Sequence, residues 1–218
     1  MYVPAHFAAP DDALAQLLAA PGAVDLVSST PAGLTATTLP MLHDPQAHTL
    51  TGHLARTNPQ WQDTVGEVLV IVRGPDAYVS PSWYASKAEH GRVVPTWNYL
   101  TVHLYGRLVV HESTDWLLDL VTRLTTVHEA AVGSSWQPTD APSSYLQGQL
   151  RAIVGVELVI SRVEAKAKLS QNRPEADVEG VVAGLDARGD HASAAAVRAA
   201  TSATSAPPPR DHAIRVDQ

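Results

Sequence analysis

EVLVIVRGPDAYVSPSWYASKAEHGRVVPTWNYLTVHLY, residues 67–105, holds two apolar strands with two aromatic clusters set between them. The run Val68–Val72 predicts a strand buried on both faces, and Gly74-Pro75 predicts a turn after it. A short strand over 78–80 leads into Ser80-Pro81-Ser82-Trp83-Tyr84. Pro95-Thr96-Trp97-Asn98-Tyr99 then precedes a strand over 101–111, with Gly106 as a candidate bulge. Two of the five tryptophans and four of the six tyrosines lie in this stretch. Such rings bury an apolar body while offering a polar tip, which suits the wall of a pocket for a flat ligand. A small β-core filled by the same rings is the alternative.

Upstream, Asp11-Asp12 caps an amphipathic helix with Leu14, Leu17 and Leu18 on one face. Residues 24–29 and 34–42 read as a hairpin around Pro31-Ala32-Gly33, and 49–54 as a third strand. Asn58-Pro59 forces the next turn. Downstream, Ser113-Thr114-Asp115 caps a helix to Glu129 in which Trp116, Leu117, Leu120, Val121, Leu124 and Val127 recur at helical spacing. A weaker helix covers 143–153, and 154–167 alternates as a strand. Strands in meander order with helices beside them predict an antiparallel barrel with helical additions, mainly β in an α+β chain, and not βαβ units. Residues 175–187 and 190–200 read as helices. The expected division is a domain over 1–188, then an Ala-rich helix and a disordered tail over 189–218.

With 45% apolar and 17% charged residues the chain is globular. It has no cysteine, which excludes disulfides, thiolate metal sites and a cysteine nucleophile. There is no basic leader, and no apolar run approaches the roughly 20 residues of a membrane span, so a cytoplasmic protein is expected. A net charge of −7 opposes direct binding to DNA, and no helix-turn-helix with a basic second helix is visible.

Gly52-His53-Leu54-Ala55-Arg56-Thr57-Asn58-Pro59 sets an imidazole and a guanidinium three residues apart at a strand-to-helix turn. Arg56 there can grip a phosphate or carboxylate with two parallel bonds. The alternative is a core hydrogen bond for His53 and an acid partner for Arg56. Lys168, Ser170, Gln171, Asn172 and Arg173 make a dense polar cluster after a strand, either an anion grip or a solvated helix start. P-loop, dinucleotide and nucleophile-elbow motifs are absent. His43 and His48 flank a turn and read as surface residues; His103 faces either a cavity or the outside. For a haem iron, a neutral imidazole is the natural axial ligand in a chain without cysteine.

MYVPAHF at the start, GHLARTNP from Gly52, GPDAYVSPSWY from Gly74, VPTWNY with VHLYG from Val94, the tryptophan-led helix, IVGVELVI from Ile153 and KLSQNR from Lys168 carry a resemblance. Over most of residues 1–185 the chain resembles the PaiB-like proteins, usually described as FMN-binding negative transcriptional regulators. The resemblance implies an FMN-binding split barrel, a homodimer, and a cofactor pocket at the subunit interface. It implies that Ser80–Tyr84, with Ser82, and Trp97–Tyr99 wall that pocket. Arg56, Lys168, Ser170 and Gln171 would then grip the cofactor's anionic group. Thr38 stands where many members have histidine, and can still hydrogen-bond a phosphate.

The same family includes haem-dependent piperazate synthases, which join the two nitrogens of N5-hydroxy-L-ornithine. Similarity to that branch implies haem b, with His53 as axial ligand and Arg56 beside a propionate or the substrate carboxylate. The iron would act as a Lewis acid on the hydroxylamine oxygen of a small amino-acid substrate. No proton donor or other catalytic residue is identified. On this reading haem b comes first, and FMN in a PaiB-type regulator is the alternative.

Overall fold

A computed structural model describes residues 1–204, so most of the tail expected to be disordered lies outside the described residues. In chain order the elements are α1 (Asp11–Ala19), β1 (Ala23–Thr30), β2 (Gly33–Asp44), β3 (Thr49–Ala55), α2 (Gln60–Asp63), β4 (Val65–Val79), α3 (Ser86–His90) and β5 (Thr96–His111). Then follow α4 (Thr114–Ala131), α5 (Ser143–Arg151), β6 (Ile153–Lys168), α6 (Glu175–Ala187) and α7 (His191–Thr204). They form two compact units. Met1–Val3, Asp11–Gly74 and Thr101–Lys166 make the first; Pro4–Pro10, Pro75–Leu100 and the chain from Ala167 onward make the second.

The six strands close an antiparallel barrel in the order β1-β2-β3-β6-β5-β4. Period-two patterning produces it. Val24, Leu26, Leu39, Met41, Leu50, Leu54, Val102, Leu104, Val154, Val156 and Leu158 all point inward and are buried. Each such side chain contributes about 1.5–3 kcal/mol when withdrawn from water, so the shared core outweighs any single hydrogen bond. The β1–β2 hairpin turns at Pro31-Ala32, where Thr30 Oγ1 donates to Gly33 O at 2.8 Å and accepts from Ala32 N at 3.2 Å. Ser113 caps α4 by accepting from Trp116 N at 3.5 Å. Among the described residues no helix is long and apolar enough to cross a membrane.

Local expectations change in and beside the opening stretch. Gly74-Pro75 makes no turn: β4 runs unbroken from Val65 to Val79 and absorbs the short strand expected at its end. β1 starts at Ala23, and its pairing with β4 ends at Asp25↔Ile71. Pro75 therefore sits where no β1 carbonyl needs the N–H it lacks. Nor is β4 buried on both faces, since Val68, Val70 and Val72 are buried while Leu69 and Ile71 are only half-buried. Gly106 serves close approach, because a Cβ there would lie 2.0 Å from Val159 O.

In the second unit α6 buries Val178, Val181 and Leu185, and α7 buries Ala194 and Val197. The Ala-rich segment is thus a packed helix.

Candidate functional site

The eight candidate residues fall on both units. In the second unit, strand alternation decides what faces outward. Ala77, Val79, Asn98 and Leu100 are buried, whereas Tyr78 is 40% and Trp97 51% exposed. Those two rings meet at 62° with centroids 6.2 Å apart. Trp97 Nε1 donates to Asp76 Oδ1 at 2.8 Å, which fixes the indole.

A latch holds the same residue from behind. Lys168 Nζ donates to Trp97 O at 2.6 Å and also to Thr96 Oγ1. Asn98 Nδ2 donates to Ser170 Oγ at 2.9 Å, and Ser170 Oγ returns a bond to Asn98 Oδ1 at 3.2 Å. Ser170 has φ 66°, a left-handed conformation that a residue other than glycine keeps only when its surroundings impose it. Gln171 stabilises that bend, accepting from Leu169 N at 2.7 Å and donating to Ala167 O. Trp97, Lys168, Ser170 and Gln171 are thereby brought together.

Ser82 lies apart from them, in a short exposed turn with its hydroxyl 2.6 Å from Ser80 Oγ. The neighbouring rings point into the unit. Trp83 lies against α6, where a Cβ at Gly184 would come within 2.3 Å of its ring and one at Gly180 within 1.9 Å of its carbonyl. Tyr84 is buried under the Arg173 guanidinium, 4.6 Å from the ring centroid. Of the aromatic clusters implied as a pocket wall, Trp83 therefore packs on α6 and Tyr84 is covered by Arg173. Trp97, with Tyr78, provides the outward surface.

In the first unit, His53 on β3 pairs with Gly155 on β6, so both present the same face of the sheet. His53 is half-buried, and its Nδ1 has no hydrogen-bond partner among the described residues. Desolvation lowers its pKa and keeps the ring neutral, the form that binds metals. Beside it Trp116 presses onto Gly155, where a Cβ would lie 2.2 Å from Cζ3. Trp116 stacks on His111 at 4.0 Å and 7°, and His111 Nε2 lies 2.7 Å from Glu157 Oε2.

Arg56 is already engaged. Its Nη1 donates to Glu112 at 2.5 Å, Nε to Arg151 O at 3.1 Å and Nη2 to Ile153 O at 2.9 Å. It ties β3 to the start of β6. Thr38 donates to Asp25 Oδ1 at 2.6 Å, and the other Asp25 oxygen pairs with Arg73. Thr38, His53 and Arg56 thus belong to separate networks. His103 has a second buried Nδ1 without a partner, its pKa lowered chiefly by desolvation. No group of three or more metal-ligating side chains occurs among the described residues.

Sequence reasoning missed Asp76 and Tyr78. The signal was present, as period-two alternation through Ala77 and Val79, but reading Gly74-Pro75 as a turn concealed it.

Comparison with known proteins adds independent observations. A family model described as "Putative FMN-binding domain" matches residues 1–162, ending before Lys168. Protease synthase and sporulation protein PAI 2 of Bacillus subtilis is 36% identical over 135 residues, covering 61% of this chain and 62% of that protein. The Emericella nidulans protein AN0679 is 32% identical over 171 residues, covering 66% and 68%. This chain therefore spans about two thirds of the length of these curated relatives. Among solved structures, Rv2991 from Mycobacterium tuberculosis superposes with a TM-score of 0.57 at 12% identity, covering 80% of this chain and 95% of that one. The flavocytochrome Anf3 from Azotobacter vinelandii gives 0.50 at 12%, covering 72% and 67%. At such identities the likeness concerns the fold alone.

Proposed function

We propose, from the premise that this chain belongs to the PaiB-like family of FMN-binding split-barrel proteins, that it holds FMN as a flat cofactor with its ring on Trp97. The observation that carries this reading is an indole half out of the protein yet fixed at its N–H by Asp76 and at its carbonyl by Lys168. A surface tryptophan ordered in advance loses less entropy when a ligand stacks on it. Lys168, bonded to the Trp97 carbonyl, supplies positive charge beside the indole for the anionic part of the cofactor. Bound FMN would contribute hydride or electron transfer, while the chain binds and orients the ring. The same reading includes a cytoplasmic homodimer.

A second reading is favoured by His53, a half-buried, neutral imidazole with an unpartnered Nδ1. It would hold haem b, whose iron supplies Lewis acidity. The chain would then be an N–N bond-forming cyclase of the piperazate synthase type, acting on a small hydroxylated amino acid.

The two readings rest on different residues, so one spectroscopic series separates them. FMN binding predicts a yellow protein that releases FMN on denaturation and loses most of its uptake in Trp97→Leu. Haem binding predicts a Soret band after reconstitution with hemin that shifts or disappears in His53→Ala. Uptake of neither cofactor sinks both readings, and a Soret band unchanged in His53→Ala removes the ligand assignment.

A further inference from the structure

We propose that Trp97, Asp76 and Tyr78 form an electron-donating face that binds oxidised FMN more tightly than reduced FMN. The inference rests on the FMN reading above, adds Tyr78 to it and gives Asp76 an electronic role there. Asp76 is a positioning residue that acts through the indole, and Tyr78 braces the indole's flank.

The argument begins with the indole N–H. A carboxylate accepting this hydrogen at 2.8 Å pushes electron density into the ring and fixes its plane. Tyr78 meets the indole at 62° rather than in parallel. It can brace the ring and still leave a broad face for a stacked ligand. Trp97 is 51% exposed, so the residue keeps surface on which a ligand can rest.

The oxidised isoalloxazine is flat and electron-poor, the natural partner of an electron-rich indole. Two-electron reduction fills the ring with electron density and bends it about its central nitrogens, so both shape and charge complementarity fall. A site that prefers one state must shift the redox equilibrium of its ligand toward that state by the same free energy. Each tenfold of preference for the oxidised form lowers the two-electron potential of bound FMN by about 30 mV.

The test uses the full chain and two titrants: FMN in air, and FMN reduced with dithionite under nitrogen. The wild type is expected to quench flavin fluorescence and to bind oxidised FMN about tenfold more tightly, a shift of about 30 mV. Trp97→Leu abolishes the quenching and brings the two affinities together. Trp97→Phe, which keeps a ring but a poorer donor, falls between them. Asp76→Ala loses both quenching and preference in part. Asp76→Asn keeps an acceptor oxygen, so it restores the quenching while losing the share of the preference that comes from charge. Trp136→Leu, at another tryptophan that is 47% exposed, changes neither readout. Equal affinities in the wild type, or a preference that survives in both Trp97 variants, overturns this inference and leaves the FMN reading standing. A wild type that binds no FMN overturns the FMN reading and this inference with it.

Discussion

At Gly155 a single missing methyl group decides how α4 meets the barrel. Alanine there would place its Cβ 2.2 Å from Trp116 Cζ3 and 2.7 Å from Cε3, so the indole must move. The indole also stacks on His111, whose Nε2 meets Glu157, and the displacement propagates to that pair. Gly155→Ala is expected to destabilise the protein by about 1–3 kcal/mol, the usual range for overpacking. The readouts are a lower urea midpoint and altered tryptophan emission; an unchanged midpoint would mean the indole re-seats without loss. At this scale the sequence exposes residue types and conceals their partners. His53, Trp97 and Lys168 stand out in their motifs. Nothing near Arg56 in the chain announces Glu112, 56 residues away, which occupies its guanidinium. Folding alone brings that acid in.

Among the elements, one carboxylate at the end of α6 gathers two side chains of α7. Asp186 accepts from His191 Nδ1 at 3.0 Å and pairs with Arg198, and the first of these contacts and then the second hold its carboxyl below the usual range. A depressed folded-state pKa gives stability that is complete above the unfolded value, about 3.9 for aspartate. That stability is lost as pH falls through the folded value. Helical circular dichroism should therefore decline below about pH 4, with a smaller decline in Asp186→Asn. Matching acid profiles for the two proteins would refute this role. Most elements are legible in the chain because alternation and capping are local: the hairpin at Pro31-Ala32 and the Ser113 cap both fall where expected. The extent of β4 is not, because proline tolerance there depends on where β1 begins. The packing of α7 is also hidden, since alanines show no apolar stripe until α6 supplies a surface.

For the whole molecule, a net charge of −7 predicts no saturable binding to duplex DNA at about 150 mM salt. Fluorescence anisotropy checks this, and tight binding with a steep salt slope would reveal a concentrated basic patch that outweighs the overall charge. The family and the barrel are readable over the chain because many ordered motifs must agree at once. The cofactor is not, because it depends on which rings face outward, and Trp83 and Trp97 look alike until α6 covers one of them. Past Ile71, β4 has also left β1 behind. A strand side without its neighbour is a template on which a second chain can extend a shared sheet. Pro75, four residues further on, has no N–H to offer such a strand. The residue that disguised the strand thus has the chemistry of a gatekeeper, the kind that discourages freshly made chains, crowded among their own copies, from pairing edge to edge.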